Sequence, residues 1–414
     1  MHVSSRPTHV VIAGGGVAAV ECALALHDLA GDRVRLTIIA PEPDFVLRPM
    51  RSAEPFSRGH VRRHPLKELA THVGAELITD SVVRVDAERH TVQRAADRTV
   101  AYDALVLAVG AQHRTAFRQA LTFTGDRSTL SFNGLLADVD EGYTHTISFV
   151  VPPGTTWPMP LYELALMTAQ EAWAMGIDDV KMELVTPEDA PLALFGPEGS
   201  AAVAALLQKA KVAFRGSCYT RQGDDGHPEV LPGGAPLDSQ RIVALPTIEG
   251  PAIGGVPADD RGFIPVDAHG RVTSLADVYA AGDATTFPVK QGGLACQQAD
   301  AVAEVLAAAA GADVHPTPFH PVLRGRLMTG RGAAYLEHSL HGGAGDTPPR
   351  EMRLWSAAHK IDGRYLSPWL AALEPGDPAT PPADHTGDIT IDIALPTAGE
   401  APSAASGLRP VPAG

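Results

Sequence analysis

Residues 9–40 read HVVIAGGGVAAVECALALHDLAGDRVRLTIIA: an apolar strand, three successive glycines, an Ala/Leu-rich helical run and a second apolar strand. Two strands joined through a helix can pair only in parallel, so this unit predicts a parallel sheet covered by helices. Gly14, Gly15 and Gly16 follow the strand directly and open the helix. They allow a tight turn and bring backbone N–H groups against a pyrophosphate at the helix N-terminus. The next small position is Ala19, where only close packing of helix on strand is required. Ala40 occupies the end of the second strand, where an acid would bind ribose hydroxyls; the nearest carboxylate, Glu42, is the candidate instead.

A chain of 414 residues is too long for one core and suits two domains plus an appendage. Its net charge of -15 argues against nucleic-acid binding, which concentrates Lys and Arg on one face, and against anionic membranes as partners. Cys22, Cys218 and Cys296 form no close pair, so neither a disulfide framework nor a zinc knuckle is spelled. No targeting segment and no membrane span is read, and the expectation is a cytoplasmic protein, with peripheral membrane attachment left open.

A second strand–helix–strand block starts at THTISFVV (Thr144 to Val151) and runs through YELALMTAQEAWAMG to VKMELVTP. Between Gly216 and Gly262 the text is rich in Gly, Pro and Asp; short apolar pieces such as RIVALP read as hairpins and connections returning to the first domain. The first domain is therefore discontinuous. The expected boundaries are 1–115 and 262–320 for the first nucleotide-binding domain, 116–261 for a second, degenerate one, 321–373 for a capping or interface region, and 374–414 for a Pro/Ala/Gly-rich tail. Within that tail DITIDIAL reads as an edge strand, and disorder is expected after Ala398.

Two more segments give the first glycine turn its meaning. YDALVLAVGA (Tyr102 to Ala111) and SLADVYAAGDAT (Ser274 to Thr285) each place a buried strand before a small-residue turn, the latter ending in Gly282-Asp283. In order and spacing the three segments resemble the FAD signature of the pyridine nucleotide-disulfide oxidoreductase superfamily, over roughly residues 8–310. The resemblance implies an α/β fold with two Rossmann-like dinucleotide-binding domains of the glutathione-reductase type. It implies FAD contacts at Gly14, Gly15, Gly16, Val17, Ala18 and Ala19, then at Glu42, Arg48, Val83, Ala108 and Gly110. It places Gly282 and Asp283 at the ribityl and phosphate region. The run KQGGLACQQADAVAEVL is similar to the family's helix whose N-terminal amides face the flavin pyrimidine, which puts Gln291, Gly292, Gly293 and Leu294 at the isoalloxazine. Such amides stabilise negative charge on a reduced ring, and Lys290 is a candidate to add to them.

The pattern breaks at the second domain, where ISFVV runs into PPGTTWPMPLYELAL with no glycine cradle. Pro152, Pro153 and Pro158 supply no N–H donors there, which argues against ordinary NAD(P)H binding. This replacement is similar to sulfide:quinone oxidoreductases and flavocytochrome sulfide dehydrogenases, and the layout also resembles type II NADH dehydrogenases. The cysteine pair that sulfide-oxidising members need is absent, and the three cysteines read as small core residues. YELAL corresponds to the VELAG-like segment of relatives, whose helix-borne glutamate approaches the flavin. Glu163 is therefore the leading catalytic candidate, able to manage a proton if burial raises its pKa; a helix N-terminal acid is the bland alternative. His60 and His64 form an HxxxH spacing, read as a solvated basic face rather than a metal site. RGRLMTGRGAAYLEHS and the following LWSAAHKIDGRYLSPWLAAL resemble the C-terminal region of actinobacterial flavoproteins and are read as closing over the flavin. Trp355, Tyr365 and Trp369 there read as interface aromatics, with a quinone site the alternative.

The expected function is a FAD enzyme passing electrons from a small reduced donor to a quinone or other acceptor. The rival readings are an NAD(P)H dehydrogenase with a degenerate nicotinamide site, and a non-catalytic redox-sensing flavoprotein. A homodimer is left open.

Overall fold

The computed structural model describes residues 6–124, 126–339, 360–373 and 389–391. The central strand Thr8–Ala13 is flanked on one side by Val34–Ala40 and then Glu76–Thr79, and on the other by Ala104–Leu107 and then Val278–Ala280, all parallel. Val10, Val11 and Ile12 are fully buried, as a strand covered on both faces demands. The chain leaves Thr8–Ala13 toward Val34–Ala40 and returns on the opposite side at Ala104–Leu107. The switch point of the sheet therefore lies between these strands, at their C-terminal ends, where ligands bind open α/β sheets. Gly14 sits at that point.

Helix α1 (Val17–Ala30) follows the glycine turn, and a short helix α2 (Leu66–Val73) follows the turns at Arg48–Phe56. Helix α3 (Asp126–Asp140) leads into a second parallel sheet, ordered Leu121–Thr122, Arg241–Ala244, Thr146–Val150, Lys181–Val185, Val212–Arg215. Helices α4 (Met159–Ala174) and α5 (Gly196–Lys209) connect its strands. The apolar piece RIVA is thus an interior strand of this sheet, not a connection; its registry with Ile147 to Val150 buries Ile242, Val243 and Ala244. Hairpin strands Tyr219–Gln222 and Pro228–Leu231 precede it.

The chain then re-enters the first sheet at Val278–Ala280 and continues into helix α6 (Gly292–Ala309). Helices α1 and α6 are rich in alanine, and Ala18, Ala19, Ala23 and Ala25 share one core with Ala295, Ala299 and Ala303. Small side chains let the two backbones approach closely. Strands Val322–Met328 and Ala333–Ser339 form an antiparallel pair, and Ile389–Ile391 adds to its edge as the alternating pattern of DITIDIAL predicts. Helix α7 (Leu366–Leu373) lies on α1, with Leu366, Trp369 and Leu370 in the same core. Trp355 and the segment after Ala398 lie outside the described residues. Among the described residues no helix is long and apolar enough to cross a membrane.

Candidate flavin site

The glycine turn is shaped by its neighbours. Gly14 has φ +130°, and a Cβ there would overlap the carbonyl oxygen of Ala108 on the neighbouring strand. Its N–H donates to Ile39 O, which ties the turn to the second strand. A Cβ on Gly15 would meet Leu66 Cδ1 at 2.6 Å and Ala40 Cβ at 3.0 Å. Ala40 is buried beneath the turn, so no carboxylate has room there and the nearest acid is displaced to exposed Glu42. Gly16 is exposed and faces open space, with no atom within 4 Å of a built Cβ. It begins α1 without a side-chain cap and without an acid in the first turn, so the amides of Val17, Ala18 and Ala19 have no intrahelical partner. A close backbone turn, uncapped amides and open space above them fit a dinucleotide pyrophosphate.

Gly282 (φ +76°) closes the other side. A Cβ there would lie 3.0 Å from Ala18 Cβ and 3.4 Å from Ala295 Cβ, so this turn and the first turns of α1 and α6 converge. The Gly282 N–H donates to Gln298 Oε1 at 2.6 Å. Asp283 is half-buried; burial raises its pKa, opposed by the Lys290 and Arg48 cations. Burial lowers the pKa of Lys290 to about 8, with Asp283 acting against it. The Lys290 ammonium donates to Thr285 O and lies 4.1 Å from the centre of the Phe263 ring. Lys290 is therefore held against the fold by Thr285 and Phe263.

At the N-terminus of α6, Gln291 Oε1 accepts the Leu294 N–H at 2.9 Å while its Nε2 donates to Arg324 O at 3.1 Å. One of the expected flavin-facing amides is thus taken internally, which leaves those of Gly292 and Gly293. Ala108 and Gly110 (φ +73°) lie just past the end of the Ala104–Leu107 strand, beside Gly14. Val83 lies farther off, half-exposed in a separate three-stranded sheet, its carbonyl accepting the Gly254 N–H at 3.1 Å.

Glu163 is not a lone carboxylate. It is 1% exposed, and Lys360 Nζ lies 2.5 Å from Oε1 and 2.7 Å from Oε2. Ser52 donates to Oε2 at 2.5 Å and the Met328 N–H to Oε1 at 2.9 Å. Burial lowers the pKa of Lys360, with Glu163 pulling it back up. The next residue, Ile361, packs so closely on Gly292 that a Cβ there would meet its Cδ1 at 2.9 Å, so the ion pair adjoins the start of α6. The sequence singles out Glu163 but neither of its partners Ser52 and Lys360. No local pattern marks a lysine 197 residues from its partner.

The second sheet has no comparable cradle. Pro158 precedes α4 and Pro160 lies in its first turn, so donors that an anion would need are missing. Trp157 packs on the buried Phe195 ring at 6.0 Å. Glu188, past the end of Lys181–Val185, accepts from Tyr162 Oη at 2.7 Å and Thr186 Oγ1 at 3.0 Å. The expected basic face around HxxxH is also different: His64 lies in the strand Arg62–Pro65, buried between Phe45 and Trp369. Cys22 and Cys296 are buried, and burial pushes both thiols far up. Trp369 packs into the α1 core rather than lining a site.

Residues 8–139 match the family described as pyridine nucleotide-disulphide oxidoreductase. The chain is 27% identical over 302 residues to the ferredoxin reductase component of chlorobenzene dioxygenase from Cupriavidus sp. (strain PS12), covering 69% of each chain. It is 28% identical over 208 residues to the sulfide-quinone reductase of Aquifex aeolicus (strain VF5), covering 48% of this chain and 47% of that one. The crystal structure of the sulfide:quinone oxidoreductase from Aquifex aeolicus superposes with a TM-score of 0.68 at 19% identity, over 80% of this chain and 84% of the other. The sheet order and glycine cradle around residues 8–139 agree with that family match, and the chain is similar over most of its length to oxidoreductases of this kind.

Proposed function

We propose that the protein passes electrons from a small reduced donor other than a nicotinamide dinucleotide, through FAD, to a quinone or another acceptor. The observation that carries this reading is the second sheet's switch point: prolines replace the amide donors at the start of α4, and Trp157 and Phe195 fill the space beside them. Tyr162 and Thr186 occupy Glu188, the acid just past the end of the strand Lys181–Val185. Likeness to a sulfide-quinone reductase supports the quinone as acceptor. Sulfide is disfavoured as donor, because Cys22 and Cys296 are buried thiols and no cysteine pair flanks the site.

In this reading Gly14 to Ala19, Ala108, Gly110, Gly282 and Asp283 hold the pyrophosphate and ribityl chain. Glu42 takes ribose hydroxyls, and Arg48 supplies positive charge. Val83 flanks the adenine end through its backbone. The bound flavin supplies two-electron chemistry. Gln291 positions the first turn of α6, whose Gly292 and Gly293 amides, together with Lys290, favour negative charge on the ring. Glu163 and Lys360 act as one unit that holds a proton between carboxylate and ammonium, and Ser52 fixes the carboxylate rotamer.

Anaerobic stopped-flow mixing of the FAD-loaded protein with NADH, NADPH, sulfide and dithionite tests the reading. Dithionite is expected to bleach the flavin and a soluble naphthoquinone to restore its absorbance. Bleaching by NADH or NADPH at catalytic rates would overturn the assignment of the donor.

A further inference from the structure

Glu21 lies in α1, seven residues beyond Gly14, is fully buried, and makes no part of the nucleotide cradle. Its carboxylate faces the C-terminal segment. Oε1 accepts the Tyr365 N–H at 2.9 Å and Oε2 the Leu366 N–H at 2.6 Å. These are amides at the start of α7, so a side chain from α1 caps a helix 345 residues away. Asp300 of α6 contacts Glu21, and its Oδ1 is buried without a partner. Gly363 packs directly on the Glu21 carboxylate: a Cβ there would lie 2.9 Å from Glu21 Oε2 and 3.0 Å from Cys296 Sγ. Two carboxyl groups in contact, with Glu21 fully buried, disfavour ionising together, and burial raises the pKa of each.

We infer that Glu21 and Asp300, sharing one proton, are positioning residues that dock segment 360–373 on α1 and α6 and so set Lys360 against Glu163. The inference rests on the proposed role of the Glu163–Lys360 pair. The docked segment spans both contacts: Lys360 meets Glu163, Ile361 covers Gly292, Gly363 covers Glu21, and Tyr365 and Leu366 complete the clasp.

The surroundings decide what losing the shared proton does. From α1 the pair is faced by Cys22, with Asp28 near Tyr365; from α6 by Cys296 and Glu304. The segment itself contributes Asp362, Arg364 and Tyr365. Asp362 is paired with Arg324 at 2.8 Å and Arg364 with Glu304 at 3.4 Å. Against the far side of α7 lies His64, whose pKa burial lowers. A second negative charge therefore meets mostly acids, with Arg364 already engaged, and gains hydration most readily by lifting Gly363 away. Burial first, then the Glu21 charge, holds Asp300 up to about 8. The docked state binds the proton more tightly than the undocked state, so docking weakens as pH rises toward and through that value.

Hydrogen-exchange protection factors of the Tyr365 and Leu366 amides in the full-length FAD-loaded protein test this, alongside the rate at which a soluble naphthoquinone reoxidises dithionite-reduced enzyme. Between pH 7 and pH 9 the protection is expected to fall about tenfold in the wild type, as loss of a single proton allows, and the rate to fall in the same direction by no more than that. Asp300→Asn, whose amide donates to Glu21 without titrating, is expected to keep both within about twofold. Protection that is flat with pH in the wild type overturns the inference whether or not the variant folds, and so does a variant that follows the wild-type profile. Lys360→Met reads the underlying proposal separately. An unchanged reoxidation rate in that variant overturns the role of Lys360, and the protection factors alone then judge whether the acid pair docks the segment.

Discussion

Gly14 and Gly16 stand two residues apart and answer to different constraints. At Gly14 the backbone is in the left-handed half of φ space and any side chain would overlap the Ala108 carbonyl, so the residue is required by the protein itself. At Gly16 φ is -90° and the Cβ position is open, so the protein alone would accept alanine. Gly14→Ala is expected to displace the Ala104–Leu107 strand and lower the melting temperature of the apoprotein. Gly16→Ala is expected to leave apoprotein stability within about 0.5 kcal/mol while weakening FAD binding by roughly tenfold or more, because the methyl group stands where a phosphate would approach. Equal loss of apo stability in both would contradict this division. Lys290 carries a pH signature. Its folded-state pKa of about 8 lies below the ordinary lysine value of 10.5, so the unfolded chain binds more protons between those values and stability rises across that window. Lys290→Met is expected to lack that rise in pH-dependent thermal melts and to remove an inflection near pH 8 from the flavin midpoint potential.

At the scale of elements, legibility followed local periodicity. The strand Thr8–Ala13, helix α1 and the strand Val34–Ala40 stand as contiguous patterns, and the glycine turn between them is a local signal with a local cause. Arg241–Ala244 was misleading because four apolar-leaning residues among glycines and prolines look like a connection; only pairing with both Leu121–Thr122 and Thr146–Val150 makes them an interior strand. The HxxxH spacing reads in the sequence as a solvated basic face, whereas the last three of its five residues enter a strand that tucks His64 beneath Trp369. The prolines at the first turn of α4 are legible in the sequence, because loss of an N–H donor is covalent and no tertiary context restores it. That Trp157 would meet Phe195 was not legible, since the two approach only when the sheet forms.

The whole molecule decides the environment of Glu163. Lys360, Ser52 and Met328 reach it from three remote stretches of chain, and the result is a buried pair whose stability depends on both partners. Lys360→Met is expected to cost about 3–5 kcal/mol, because it leaves a buried carboxylate without its cation. Adding Glu163→Gln is expected to recover most of that loss, which a double-mutant cycle of denaturation midpoints would measure. Additive losses would mean that the two residues do not act as a pair. The sequence by itself determined the nucleotide fold, the glycine turn at Gly14 to Gly16 and the prolines at the start of α4, because each rests on backbone freedom or N–H donors at adjacent positions. Only the tertiary structure decided which charge faces Glu163, how the acids Glu21 and Asp300 meet, and what covers α6. Burial and pairing arise between residues hundreds of positions apart, and no local pattern encodes them.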